Sequence, residues 1–367
     1  LPSQAAPSTP RRAAAAGVLA GVACALKLTC VPFAIGIAAA IAASENAPRS
    51  WKYAGLYTAL ALIGFITVDG FWLWKLYALY DSPLFPFFNQ WFGSPWFEPH
   101  SVAGRVFGPK TMWQWITFPL PLFGRTEMYV SEPAIRDWRL PMVYMLGIAS
   151  TVAWFARRRF RLVAPVPASR PDGAQFVLVF FAVACVLWAA EFSVYRYIVV
   201  LDLLSGAVLL YLVSTLVARE SLRVAALATS VLVIFNVVYP GWGHLPFDGP
   251  FIQVKMPTIE PHTLVLLTNA EPIGYVLPYF PEDGRFVGIN NNLNNPGRHD
   301  LMQDQISHVV GSHRGPIVAI AYPVGSDMRA LRDYHLRRKS NACRQIVTNM
   351  ATSPIDVCDV ERDGTAP

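Results

Sequence analysis

The chain has 367 residues, of which 54% are hydrophobic and only 15% charged, with a mean hydropathy of +0.36. Soluble domains carry about 25% charged residues, so this composition excludes an ordinary water-soluble globule and points to a bilayer. The net charge of +6 is small and its Lys and Arg residues cluster beside apolar runs, which fits membrane orientation and leaves no role for nucleic acid as a partner.

Residues 1–12 are a polar, Pro- and Ala-rich segment with no initiator Met, as expected of the carboxy-terminal part of a longer protein. The apolar stretch 13–43 is too long for one straight span at about 1.5 Å per residue. Basic pairs flank it at Arg11 and Arg12 and at Arg49 and Lys52. If both ends are cytoplasmic, the stretch crosses twice and turns near Lys27, Leu28, Thr29 and Pro32, where Pro disfavours a continuous helix. Further apolar runs at 53–74, 140–155, 176–190, 197–217 and 224–238 contain few or no charges. Each approaches the roughly 20 residues that a spanning helix needs.

Two more basic clusters, Arg157, Arg158, Arg159 and Arg161, then Arg219 and Arg223, mark the cytoplasmic side. The expected fold is therefore a polytopic α-helical membrane protein of about seven crossings over 13–240. A loop at 75–139 and a tail at 241–367 then lie outside. The loop is rich in Trp, Phe and Pro, residues that suit the interfacial belt. Within it, 111–123 holds Trp113, Trp115, Phe118 and Phe123 without a charge. Two roles fit that stretch: a helix lying in the interface, or packing against the other helices.

The tail changes character. Runs 263–267, 316–321 and 285–289 read as strands, and 300–310 and 326–338 as helices, the first capped by Asp300. This alternation predicts a small α/β domain with a partly parallel sheet. Cys24, Cys30 and Cys185 lie in apolar runs as small hydrophobes, whereas Cys343 and Cys358 stand alone in the tail. In an oxidising compartment those two form a disulfide; the alternative is two unpaired thiols. The spacing of Cys and His matches no zinc site; no cofactor is expected, and a divalent metal stays open without support from the residue pattern.

The most distinctive string, Tyr80-Asp81-Ser82-Pro83-Leu84-Phe85-Pro86-Phe87-Phe88-Asn89-Gln90-Trp91-Phe92-Gly93-Ser94-Pro95, opens the loop. It resembles the "NPLFPFYN…F.SP" loop of bacterial integral-membrane glycosyltransferases of the GT-C type. Residues 21–33 resemble that group's "GLKLT.LPFA" helix pair, 71–77 its "WLWKLY" run, and Val194-Tyr195-Arg196-Tyr197 its "RY" helix start. The resemblance covers about residues 15 to 215. It implies an enzyme of the bacterial inner membrane that moves a sugar from a polyprenyl-phosphate donor to a glycan, lipid or protein acceptor. The donor is then a substrate rather than a cofactor. In that group the catalytic carboxylate lies on the first extracytoplasmic loop, so the resemblance places it upstream of Leu1.

The remaining polar residues are read on their own chemistry. Asp69 falls within or at the outer end of an apolar run, where an ionisable group is costly and functional by default, or simply marks the exit of the helix into water. Asp69 and Asp81 are weak candidates for a catalytic carboxylate. Arg196 either grips a lipid phosphate through its two-donor fork or pairs with Glu191 or Asp202. Lys27 either faces the same ligand or snorkels to the headgroups. Lys75, Tyr195 and Asn89 complete the candidate substrate-binding set, and Lys75, Arg105, Lys110 and Arg125 add positive charge to the outer face. The run 290–297 reads as turn chemistry, with glycan hydrogen bonding as the alternative.

Two classes of function remain: the glycosyltransferase, or a noncatalytic membrane subunit or transporter whose tail recruits a partner. Paired repeats with broken helices would favour transport, and none is visible.

Overall fold

In the computed structural model the described residues are 10–44, 47–99, 107–160, 173–218, 220–239, 249–268, 273–291, 293–294, 297–322, 328–339, 343–351 and 353–363. Arg105, Arg161, Arg219 and Ser326 lie outside them. The chain divides into two compact units, Leu1–Trp74 with Ala103–Trp242, and Lys75–Val102 with Gly243–Pro367. The sequence boundary at 240 nearly coincides with this division. The first part of the 75–139 loop, however, belongs with the tail, and its second part with the helices.

The helical unit contains α1 (Pro10–Leu26), α2 (Val31–Ala42) and most of α3 (Ala47–Tyr80), whose last turns reach into the second unit. The short α4 (Asn89–Phe92) belongs to that second unit, whereas α5 (Met112–Thr117) returns to the first. The remaining helices of the helical unit are α6 (Arg139–Phe160), α7 (Ala174–Glu191), α8 (Val199–Leu216) and α9 (Leu222–Phe235). Among the described residues, four helices are long and apolar enough to cross a membrane by length and composition: Pro48–Tyr80, Arg139–Phe160, Ala174–Glu191 and Val199–Leu216. Leu28–Ala42 and Leu222–Phe235 are apolar but shorter. Four long apolar helices make a membrane protein of this chain by length and composition, fewer than the seven crossings expected from the sequence.

The stretch 13–43 breaks where its sequence asks for a break. Lys27 is extended (φ −156°, ψ 111°), a 3-10 turn covers Leu28–Cys30, and Pro32 sits in the first turn of α2, where its missing N–H costs nothing. Helices α1 and α3 then run side by side at close range. A Cβ added at Gly17 would lie 2.4 Å from the Tyr57 carbonyl oxygen, and one at Gly21 only 2.0 Å from that of Ala61. Small residues at such a seam let two backbones pack tightly, which drives association where water does not. Gly21→Leu is expected to push the helices apart and cost on the order of 3 kcal/mol, read as a lowered melting temperature in detergent. Gly55→Leu, whose Cβ meets open space, is the control that leaves melting unchanged.

The main helical core gathers Trp188, Phe180 and Phe181 of α7 with Leu201 and Leu212 of α8 and Ile198 before it. The loop contributes Phe118, Leu122, Val130 and Ile135 to the same cluster. The 111–123 stretch thus divides its roles: Thr111 and Gln114 form a capping box on α5 and Trp113 is 71% exposed, while Phe118 is buried against Trp188. A two-stranded ribbon, β1 (Arg136–Asp137) with β2 (Val237–Val238), is antiparallel and joins the end of the loop to the segment after α9.

Basic clusters mark one set of helix ends. Arg11 and Arg12 lie in the first turn of α1, Arg49 and Lys52 at the start of α3, and Arg157, Arg158 and Arg159 in the last turn of α6. Contacts tie these ends together: Gln175 Nε2 donates to the Ala43 carbonyl at 2.7 Å, and Arg157 Nη1 to the Thr215 carbonyl at 3.1 Å. The opposite ends carry Lys27, Arg139, Tyr195, Arg196 and Tyr239.

In the second unit the strands are β3 (Val254–Lys255), β4 (Leu264–Leu267), β5 (Arg285–Gly288), β6 (Ile317–Ala321), β7 (Leu336–Arg338), β8 (Arg344–Thr348) and β9 (Ile355–Arg362). Their order is β3-β8-β9-β6-β4-β5, with β7 also on β9. β4 is parallel to both β5 and β6, and the pairs made by β9 are antiparallel, so the sheet is mixed. β6 is buried at every residue, as its unbroken Ile-Val-Ala-Ile-Ala run requires of a central strand. Helix α10 (Leu301–Ser312) packs on it, its first turn capped by Asp300 Oδ1 accepting from the Gln303 N–H at 2.9 Å.

The helix expected over 326–338 is corrected. A 3-10 helix occupies Met328–Tyr334, His335 takes φ 54°, and Leu336 enters β7 fully buried. A left-handed residue ends a helix, and pairing with β9 then captures the chain.

Cys343 and Cys358 are disulfide-bonded, 15 residues apart, and join the start of β8 to β9. Closing a loop of about that length contributes roughly 3 kcal/mol in the chain-entropy account. Thiol labelling of the unreduced, denatured protein is expected to modify Cys24, Cys30 and Cys185, and to reach all five cysteines only after reduction.

Candidate functional site

Tyr195 and Arg196 are neighbours in sequence with opposite fates. A 3-10 turn, Tyr195–Tyr197, links α7 to α8, and its tight winding sends Tyr195 inward (5% exposed) and Arg196 outward.

Inward, Tyr195 joins a network that the sequence did not disclose. Arg139 donates from Nε to Asp137 Oδ1 at 3.0 Å and from Nη2 to Asp137 Oδ2 at 2.8 Å. The same Nη2 meets the Tyr195 hydroxyl at 2.7 Å, the Tyr239 hydroxyl at 3.2 Å and Asp202 Oδ2 at 3.2 Å. Tyr195 in turn donates its O–H to Asp137 Oδ2 at 2.7 Å. Asp137 is fully buried, and its other oxygen accepts the Arg139 backbone N–H at 2.9 Å, satisfying the open first turn of α6. Burial, reinforced by the carboxylates of Asp137 and Asp202, holds the Tyr195 phenol far above its usual range, so it remains a donor. Five residues from β1, α6, the 3-10 turn, α8 and the segment after β2 are thereby fastened at one point. Asp202 Oδ1 is buried with no hydrogen-bond partner. The arginine serves two carboxylates and has little left to offer a ligand.

Outward, two cations share one ring. Lys27 Nζ lies 4.7 Å from the Tyr197 ring centroid and Arg196 Cζ lies 5.6 Å from it. Phe192 meets that ring edge-on at 5.7 Å and fixes its plane. Lys27 and Arg196 are both exposed, and among the described residues neither has a carboxylate partner. The pairing of Arg196 with Glu191 or Asp202 considered from the sequence is absent, because Asp202 faces Arg139. Two positive charges beside one aromatic ring, with no carboxylate partner among the described residues, are an arrangement suited to an anion.

The other sequence candidates lie elsewhere. Asn89 is buried, and its amide is committed to its own loop: Nδ2 donates to the carbonyls of Ser94, Phe97 and Glu98 at 3.0, 2.6 and 3.1 Å, while Oδ1 accepts the Ser94 N–H at 2.7 Å. Every hydrogen-bonding site that matters is used, which makes Asn89 a positioning residue of the 80–98 loop. Stacking of Tyr80 on Phe85 at 4.3 Å and the left-handed Phe88 and Gly93 shape the same loop. The loop presents Trp91 (76% exposed) and Phe92 outward. Its far end docks on the tail, where the Leu301 N–H donates to the Pro95 carbonyl at 3.0 Å and Arg298 covers Phe97 at 4.6 Å.

Asp69 is a half-buried residue inside α3, Lys75 is exposed farther along that helix, and Asp81 is an exposed left-handed residue (φ 55°) ending it. Lys110 and Arg125 are exposed loop residues. In the described part of the run 290–297, Asn291 closes a turn: its Oδ1 accepts the N–H groups of Leu293 and Asn294 at 2.8 and 2.9 Å. Among the described residues no group of His, Cys, Asp and Glu could hold a metal ion.

Sequence reasoning missed Asp137, Arg139 and Tyr239 because their partners lie 56 to 100 residues away from Arg139 along the chain or on short, weakly patterned strands. The one local signal was Asp137 beside the start of α6, where a carboxylate meets the open N–H groups of a first turn. No family model, curated protein or solved structure matches the chain.

Proposed function

We propose that the protein is a membrane glycosyltransferase of the GT-C type, or the carboxy-terminal part of one, that takes a sugar from a polyprenyl-phosphate donor. The observation that carries this reading is the pair of exposed cations, Lys27 and Arg196, on the Tyr197 ring. They stand at the helix ends opposite the Arg157 to Arg159 cluster. If that cluster is cytoplasmic, as short basic loops are biased to be, the cation pair lies at the outer headgroup level of a seven-crossing bundle in the bacterial inner membrane. The tail is then extracytoplasmic, in agreement with its disulfide.

A carrier phosphate there gains a planar two-donor fork from Arg196 and a compact ammonium from Lys27. The buried Asp137–Arg139–Tyr195 network holds the adjoining turn in place, so the outer groups need not reorganise when the donor arrives. The catalytic carboxylate is assigned to no residue of this chain, and the acceptor is a glycan, lipid or protein on the outer face.

Binding separates this reading from a fortuitous charge pair. Polyprenyl phosphate is expected to bind the detergent-solubilised protein about tenfold or more tightly than uncharged polyprenol. The preference should vanish in Lys27→Ala/Arg196→Ala. Equal affinity for the two lipids in the unaltered protein contradicts the assignment.

A further inference from the structure

The helical unit also carries a groove that reaches from Pro119 and Leu140 to Arg157. A cavity of about 980 Å³ opens along α6, α7 and α8, at the top of the roughly 300–1,000 Å³ range of small-molecule sites. Its wall is apolar, built from Val143, Gly147, Phe181, Cys185, Val208 and Leu212, and Ile148, Val152 and Val186 stand exposed along its rim. Most hydroxyls in the wall are tied to the protein: Ser150 bonds Thr215 at 2.9 Å, Thr151 donates to the Gly147 carbonyl, Ser214 to the Tyr211 carbonyl and Tyr144 to the Ile116 carbonyl. The wall is thus mainly apolar, with the Tyr211 hydroxyl also on it.

One mouth of this groove is charged. Arg157 lines it, anchored by a single hydrogen bond from Nη1 to the Thr215 carbonyl at 3.1 Å, which leaves the rest of its fork directed to no protein partner among the described residues. Arg158 stacks over Trp154 at 5.4 Å, and Arg159 over Phe160 at 5.9 Å. None of these three guanidinium groups has a carboxylate partner among the described residues. An apolar groove running from a cluster of unpaired arginines and an interfacial Trp has the chemistry of a lipid with an anionic headgroup.

We propose that this groove holds one anionic diacyl phospholipid, its phosphate on Arg157 and Arg158 and its acyl chains along α6, α7 and α8. Its charged mouth at Arg157 and Arg158 lies at the helix ends opposite the Tyr197 cation pair, so a lipid with its phosphate there is a resident lipid and not the sugar carrier. It also does not depend on the glycosyltransferase reading. Juxtamembrane basic residues each favour an anionic surface modestly, and here the groove adds shape.

Two variants isolate the two halves of the site. A Cβ at Gly147 meets open space, so Gly147→Phe fills the groove without striking backbone, and Arg157→Gln/Arg158→Gln removes the headgroup contacts. The purified protein is titrated with phosphatidylglycerol and phosphatidylcholine of identical chains, and lipid retention is read by native mass spectrometry. The unaltered protein is expected to retain phosphatidylglycerol about tenfold or more over phosphatidylcholine. The arginine variant should bring that ratio close to one. Gly147→Phe should lose both lipids while its melting temperature is kept; if it fails to fold, the arginine variant decides alone. Equal retention of the two lipids by the unaltered protein, or an unchanged ratio in Arg157→Gln/Arg158→Gln, overturns the proposal. Displacement of phosphatidylglycerol by equimolar polyprenyl phosphate also overturns it, because the groove would then belong to the carrier.

Discussion

Arg139→Ala is expected to lower stability by about 3–5 kcal/mol, the cost of removing one member of a buried ionic cluster and leaving its partners uncompensated. Asp137 is fully buried and Asp202 nearly so, and both carboxylates depend on the same guanidinium. Without it two negative charges face each other in a largely buried site, and Asp202 Oδ1 already lacks a partner. Arg139→Lys keeps one charge but loses the bidentate fork on Asp137, so it should recover only part of the loss. The sharper control removes all the charge at once. Asp137→Asn/Arg139→Met/Asp202→Asn is expected to be closer to the unaltered protein than Arg139→Ala is, since the penalty lies in stranded charge more than in a missing attraction. Thermal melting in detergent at constant pH gives the comparison, and a melting temperature for Arg139→Ala equal to that of the unaltered protein would show that the cluster carries no structural weight.

Arg196→Ala is expected to behave in the opposite way, with melting unchanged and sugar transfer reduced on the order of 100-fold, the equivalent of losing about 2–3 kcal/mol of charge-assisted hydrogen bonding. The side chain is exposed and rests only on Tyr197, so its removal uncovers no buried group. Arg196→Lys should be intermediate in turnover, because a point charge remains while the planar pair of donors is lost. Two arginines near one turn therefore separate by readout: one moves stability, the other activity. A fall in melting temperature for Arg196→Ala as large as that for Arg139→Ala would refute this division.

The features legible in the sequence were those written in local pattern. The break at Lys27 followed from a polar residue and Pro32 interrupting a run too long for one span. β4 and β6 followed from short unbroken apolar runs, and the start of α10 from Asp300. What escaped was decided by distant partners. Residues 336–338 continue an amphipathic pattern, yet β9 pairs with them and overrides it. β8 and β9 carry a strand-like alternation in Arg344–Thr348 and Ile355–Arg362, but their place in the sheet depends on β6, which precedes them by more than 20 residues. Asn89 stands in the candidate substrate-binding set, and only the fold reveals three carbonyls converging on it. Likewise Val194-Tyr195-Arg196-Tyr197 does not show which side chains face inward until the 3-10 turn sets their directions.

The central claim, that the Tyr197 cation pair serves a polyprenyl-phosphate sugar donor, is tested most directly by transfer in proteoliposomes. The purified protein is supplied with a donor labelled in its sugar and with a cell-envelope acceptor fraction, and label moving to acceptor is measured for the unaltered protein and for Lys27→Ala/Arg196→Ala, each checked for folding by its melting temperature. The account predicts transfer by the unaltered protein and a loss of about 100-fold or more in the folded double variant. Undiminished transfer by the folded double variant would contradict it.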